Sequence, residues 1–283
     1  VDLSILQEAW LWRALATGTV VAVPCALVGV FLYLRNMSLL ADALAHVALP
    51  GIVIAFLATG GLALPALQLG AVVVSVASAV SISALAARGV REDAAIGIVF
   101  TVMFAIGVIL LSTRARGVDL DLDCVLFGNI LGVSDASLFT MAGVAVLVVA
   151  AAWVFRRWLA VSTFDSALAI TLGVPVAAIH YGLVTAASVT AVSTFEAVGA
   201  VLGVAMVIVP PATAHRLTDR LPSMLLTAVA VALLAVVGGV TLSIATDTST
   251  AGCIVLVQGA VYAATFIPDA RRALTAHHPI ADA

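Results

Sequence analysis

Asp42 and His46 stand four positions apart in Met37-Ser38-Leu39-Leu40-Ala41-Asp42-Ala43-Leu44-Ala45-His46, where a carboxylate and an imidazole interrupt a long apolar run. On a helix, positions i and i+4 share one face with their Cβ atoms about 5–6 Å apart, so both side chains can reach one ligand. Ionisable residues inside a membrane span are costly and normally face a bundle interior or a water-filled cavity. Three chemistries fit the pair: binding an ion, relaying a proton, or a mutual hydrogen bond that only neutralises the two groups. The ion site is the preferred reading. Pro50 follows four residues after His46; it has no N–H, so the His46 carbonyl loses its helical donor and the helix tends to bend there. Imidazole and carboxylate, with a carbonyl or water, suit Mn²⁺, Fe²⁺ or Zn²⁺, and the lack of a nearby thiolate argues against copper(I). Two ligands per chain are too few for tight coordination. Either a second subunit completes the shell or the site binds weakly enough to release its ion.

The elements that position the pair follow from composition. Of 283 residues, 64% are hydrophobic and 10% charged, and the mean hydropathy is +1.25, whereas a soluble domain is about 45–50% apolar and about 25% charged. Lipid must solvate most of this surface. A span needs about 20 apolar residues, and nine runs qualify: 14–34, 39–57, 64–87, 94–112, 137–155, 174–194, 197–213, 224–244 and 251–267. The division at Glu196 is forced by length, because one helix over 174–213 would be about 60 Å long, twice the hydrocarbon core. The N-terminal Asp2 and Glu8, with no basic region before the first apolar run, make that run a retained span rather than a cleaved signal peptide. The expected class is an all-α polytopic membrane protein, a single transmembrane domain over 1–283.

Arginines orient it. Arg35, Arg88 with Arg91, Arg156 with Arg157, Arg216 with Arg220, and Arg271 with Arg272 occupy every second loop, which makes those loops cytoplasmic. The N-terminus with Arg13, the loops 60–62, 114–135 and 246–250, and the turn at Glu196 then face outside, and the C-terminus is cytoplasmic. The outer loop 114–135 mixes acids with an apolar stretch and predicts a short interfacial helix. The cytoplasmic loop 156–173 predicts a short helix over 166–172, capped by Asp165 or Thr163 and stopped by Gly173. Such a helix is either a contact for a cytoplasmic partner or a passive connector.

Other features carry less. All twelve basic residues are arginine, and without lysine there is no P-loop and no ATP hydrolysis by its chemistry. A net charge of −3 with no basic cluster larger than a pair leaves no footprint for nucleic acid. Cys25, Cys124 and Cys253 are far apart and read as small apolar fillers. Glu196 reads as a boundary residue touching headgroups or water, His180 beside Tyr181 as an interior hydrogen-bonding group, His215 as a partner of a helix C-terminus, and His277 with His278 as a solvated tail. No nucleophile–base pair, GxSxG elbow or HExxH is present, so the chain does not read as an enzyme.

The stretch from Leu34 to Gly51 resembles the LRxMSLxGDALSHxxLPG pattern of the membrane permeases of manganese, zinc and iron ABC importers, with Ala41 and Ala45 where glycine and serine are common. Leu126-Phe127-Gly128-Asn129-Ile130-Leu131, the segment Phe164 to Pro175, the block from Glu196 to Ala214, and Thr246-Asp247-Thr248 with Ile254-Val255-Leu256-Val257-Gln258 are similar to further blocks of that family, in the same order. The resemblance implies a fold like that of cobalamin and siderophore permeases lacking their first helix, in a bacterial plasma membrane. It implies a homodimer, cytoplasmic ATP-binding subunits docking on a coupling segment about 163–173 (Asp165, Ser166, Ala169, Leu172 and Gly173), and an extracytoplasmic metal-binding protein meeting Arg13. Asp42 and His46 take the place of the family's ion ligands. No cofactor is permanently bound; Mn²⁺, then Zn²⁺ or Fe²⁺, is the expected cargo. The rival expectation is a proton-coupled secondary carrier using the same pair.

Overall fold

Leucine, valine and alanine runs free of charge close their backbone hydrogen bonds within the segment, the requirement for crossing lipid. The computed structural model describes residues 9–59, 64–114, 133 and 135–266, and among them every regular element is a helix. In chain order these are α1 (Ala9–Leu34), α2 (Leu40–Thr59), α3 (Leu64–Ala87), α4 (Glu92–Arg114), α5 (Asp135–Val154), α6 (Arg156–Phe164), α7 (Ser166–Thr171), α8 (Val176–Val198), α9 (Ala200–Leu217), α10 (Leu221–Thr246) and α11 (Thr250–Ala264). Eight are long and apolar enough to cross a membrane. The ninth expected span, 251–267, is represented by α11 at 15 residues, about 22 Å of helix against a core of about 30 Å.

α1 is the centre of the bundle, packing against α5, α8, α9 and α10. Val21, Ala22, Cys25, Ala26 and Val30 on it are fully buried. The span of α1 is 67% buried but those of α4 and α5 only 22% and 17%, so α4 and α5 present the faces left for lipid or a partner. α2 packs against α3, α4 and α8. α2 and α3 touch backbone to backbone at Gly51 and Gly70, where a Cβ on either glycine would strike the other's carbonyl. Small residues permit this close approach in membranes.

Two boundaries differ from the sequence reading. The turn expected at Glu196 lies at Gly199, with φ 84°: α8 runs through Glu196 to Val198 and α9 begins at Ala200. A charged residue suggests a membrane boundary, but the left-handed backbone of the break is what requires glycine. The loop 156–173 holds two helices rather than one, because α6 fills its first half. The interfacial helix expected within 114–135, Cys124 and the tail with His277 and His278 fall outside the described residues.

Candidate functional site

Asp42 and His46 occupy the first two turns of α2. A carboxylate there is favoured by the positive end of the helix dipole. The His46 Nε2 to Asp42 Oδ1 distance is 3.8 Å, with the His46 and Asp42 side chains 30% and 49% exposed. That distance is too long for a hydrogen bond, so the two groups stand at ion-pair distance with their hydrogen-bonding capacity unused between them. Two donors at about 2.0–2.2 Å from one transition-metal ion lie no more than about 4.4 Å apart, and 3.8 Å falls inside that limit. The imidazole sits beside two rings of α4, with centroids 5.8 Å from Phe100 and 6.3 Å from Phe104, which give the site one apolar wall. Pro50, a turn below, packs against Gly107 of α4, where an added Cβ would come within 2.9 Å of the proline ring. Among the described residues no group of three or more His, Cys, Asp or Glu side chains gathers to hold a metal.

The expected cap is present: the Leu168 N–H donates to Asp165 Oδ1 at 2.9 Å. Asp165 ends α6 and starts α7. Gly173, with φ 74°, closes α7, helped by hydrogen bonds from Gly173 N–H to the Ile170 carbonyl and from Val174 N–H to the Ala169 carbonyl. Leu168, Ile170 and Leu172 are exposed, but Ala169 is fully buried. Ala169 is thus the residue by which α7 is packed down, while its neighbours form the exposed side of the helix. Arg13 is exposed near the start of α1.

Sequence reasoning used Arg35 only as an orientation marker, and the structure gives it a polar node. Its Nη2 donates to Ser162 Oγ at 2.9 Å, its Nε to Thr163 Oγ1 at 3.2 Å, and its Nη1 to His180 Nδ1 at 3.3 Å. Arginine has no acceptor, so Nδ1 must accept, and His180 is the neutral tautomer whose Nε2–H donates to Ser83 Oγ at 3.0 Å. Ser83 in turn donates to the Ala79 carbonyl at 3.0 Å. The interior hydrogen-bonding role expected of His180 is what the structure shows. Burial pushes the Arg35 guanidinium down from its ordinary range, and the Glu92 carboxylate pulls it back up. His215 lies in the last turn of α9 against the Tyr33 ring, 5.3 Å between centroids. Cys25 and Cys253 are free and buried.

The sequence model of the ABC 3 transport family matches residues 7–268. The chain is 41% identical over 272 residues to the manganese transport system membrane protein MntD of Bacillus subtilis, covering 92% of this chain and 91% of that one. It is 40% identical over 260 residues to the zinc transport system membrane protein TroD of Treponema pallidum, covering 88% and 71%. Other relatives are named for iron transport. Among solved structures, that of PsaBC from Streptococcus pneumoniae in complex with Fab superposes with a TM-score of 0.79 at 31% identity over 93% of each chain.

Proposed function

We propose, from the premise that the chain belongs to the ABC 3 transport family, that it passes a divalent transition-metal ion, Mn²⁺ before Zn²⁺ or Fe²⁺, through a site made by Asp42 and His46. The chain is a transport subunit; ATP hydrolysis belongs to a separate partner. Relatives named for manganese, zinc and iron support the class of cargo. The Leu49-Pro50-Gly51 run after the histidine, the His180-Tyr181 pair and the 254–258 block favour manganese within it.

The observation that carries the reading is the unclosed pair, two donors 3.8 Å apart and half-exposed beside α4. One ionised carboxylate leaves a divalent ion with an excess positive charge, which a second copy's pair would cancel. We therefore assign the open side of α2 and α4 to a second permease subunit. The arginine-rich end that carries α6 and α7 faces the cytoplasm, where ATP-binding subunits meet Leu168, Ile170 and Leu172 together with Asp165, Ser166 and Gly173 at the ends of α7. Arg13, at the opposite end of α1, meets an extracytoplasmic metal-binding protein. The whole of 1–283 acts as one permease domain in the bacterial plasma membrane. The ion arrives outside, dwells at the pair, and leaves inward as the ATPases close and reopen.

The test is metal uptake by proteoliposomes holding the chain with its partner subunits. Asp42→Ala and His46→Ala should abolish uptake while the complex still assembles. Normal uptake in both variants refutes the site, and uptake by this chain alone under a proton gradient without ATP makes it a carrier instead.

A further inference from the structure

We propose that Arg35 is a positioning residue for transport, the tie through which movement of the α6–α7 pair reaches the helix that carries Asp42 and His46. This rests on the reading of Asp42 and His46 as the ion site and of α7 as the docking element.

Each end of the tie is locally stiff. On the α2 side, Arg35 ends α1 in a closed turn: the Met37 N–H donates to the Leu32 carbonyl at 2.9 Å and the Asn36 N–H to the Tyr33 carbonyl at 3.0 Å. Asn36 adopts φ 59°, the left-handed residue of this helix-ending motif. The Leu40 N–H then donates to the Met37 carbonyl at 3.0 Å, and Met37 and Leu40 are buried. Asp42 follows Arg35 by seven positions, all within this turn and the start of α2. A displacement of the guanidinium is thus passed to the carboxylate with little slack.

On the other side, Ser162 and Thr163 close α6 immediately before Asp165, the residue that caps α7. Ser162 both accepts from Arg35 and donates to the Leu159 carbonyl at 3.2 Å. Leu159 packs with Phe31 and Ile179 beneath, and α7, with Ala169 buried, touches α6 and α8. Pressure on exposed Leu168, Ile170 and Leu172 therefore moves Ser162 and Thr163 as a unit.

A purely mechanical brace at this place needs only apolar packing, which the Phe31 cluster already supplies. The guanidinium adds directed donors to two hydroxyls and one imidazole, contacts that break and re-form in discrete steps rather than deform. His180 extends the node to Ser83 on α3, and α3 touches α2 at Gly70 against Gly51. Both routes from the node end on α2.

The experiment uses the complete complex of this chain, its ATP-binding subunits and its metal-binding protein, and counts radioactive Mn²⁺ imported per phosphate released. Arg35→Gln and the paired Ser162→Ala/Thr163→Val should each lower that ratio about tenfold, within the range by which such networks modulate coupling. Mn²⁺ binding to the isolated permease and co-purification of the ATP-binding subunits should persist. Arg35→Lys, which keeps the charge and loses the fork, should fall between Arg35→Gln and the unsubstituted chain. Combining Arg35→Gln with Ser162→Ala/Thr163→Val should lower the ratio no further than the worse of the two, since both remove one tie. If Arg35→Gln fails to assemble, the Ser162→Ala/Thr163→Val pair decides. An unchanged ratio in that pair, or losses that multiply on combination, overturns the proposal. Asp42→Ala separates the two levels: lost uptake there beside an unchanged ratio in the Arg35 variants rejects the tie and leaves the ion site standing, whereas retained uptake in Asp42→Ala removes the site and the tie together.

Discussion

Asp42→Asn keeps the volume of the side chain and an oxygen acceptor and removes only its charge, so it isolates the electrostatic part of ion binding. The carboxylate is 49% exposed, which sets the screening near that of water rather than of a dry interior. With the charge about 3 Å from a divalent ion, Coulomb's law gives about 3 kcal/mol even at the dielectric constant of water. That is about a hundredfold in affinity. Burial by the proposed second subunit would lower the local dielectric and enlarge the effect, so a hundredfold is a floor. Mn²⁺ titration of the permease in lipid nanodiscs, followed by electron paramagnetic resonance, reads the loss directly. A dissociation constant for Asp42→Asn within about threefold of the unsubstituted chain, less than about 1 kcal/mol, would show that the carboxylate does not touch the ion and would refute the reasoning.

Two further pairs of substitutions separate packing from contact. Gly51→Val drives side-chain atoms into the Gly70 carbonyl and should cost at least about 1–3 kcal/mol of overpacking, read as a lower unfolding temperature in detergent; Gly97→Ala, whose Cβ meets nothing within 4 Å, should leave it unchanged or raised. On α7, Leu172→Asp, 63% exposed, should weaken co-purification of the ATP-binding subunits at unchanged unfolding temperature, while Ala169→Asp buries a charge and should lower the unfolding temperature itself.

Asp42 and His46 are legible in the sequence because an acid and an imidazole are outliers in an apolar run, and their i, i+4 spacing puts them on a common face by helix geometry alone. How far they are exposed is not legible, since that depends on where α4 lays Phe100 and Phe104. Glu196 misleads for an instructive reason. Its charge marks it as the costly residue, but helix ends are set by backbone conformation, and Gly199 three positions on carries the left-handed φ. Within 156–173, the helix cap at Asp165 follows from residue type alone. α6 is missed because its nine residues are too few for a clear period. Arg35 is the deepest omission: its partners lie 127, 128 and 145 residues away, beyond any local pattern. The one signal for it was His180, a polar side chain inside a span that needed a partner.

The same geometry explains why the pair suits an ion that must leave. A divalent ion held by one carboxylate and one neutral imidazole keeps a net positive charge, which lipid disfavours and which a second subunit can offset only while it is in place. On the proposed arrangement, movement of α2 relative to that subunit would change both the ligand count and the charge balance at once. Metal choice does not follow from these donors, because nitrogen and oxygen sites bind Mn²⁺ more weakly than Fe²⁺ or Zn²⁺. On the proposed reading, a permease that carries manganese through this pair would have to receive its ion already selected, and weak holding at Asp42 and His46 would favour release over capture.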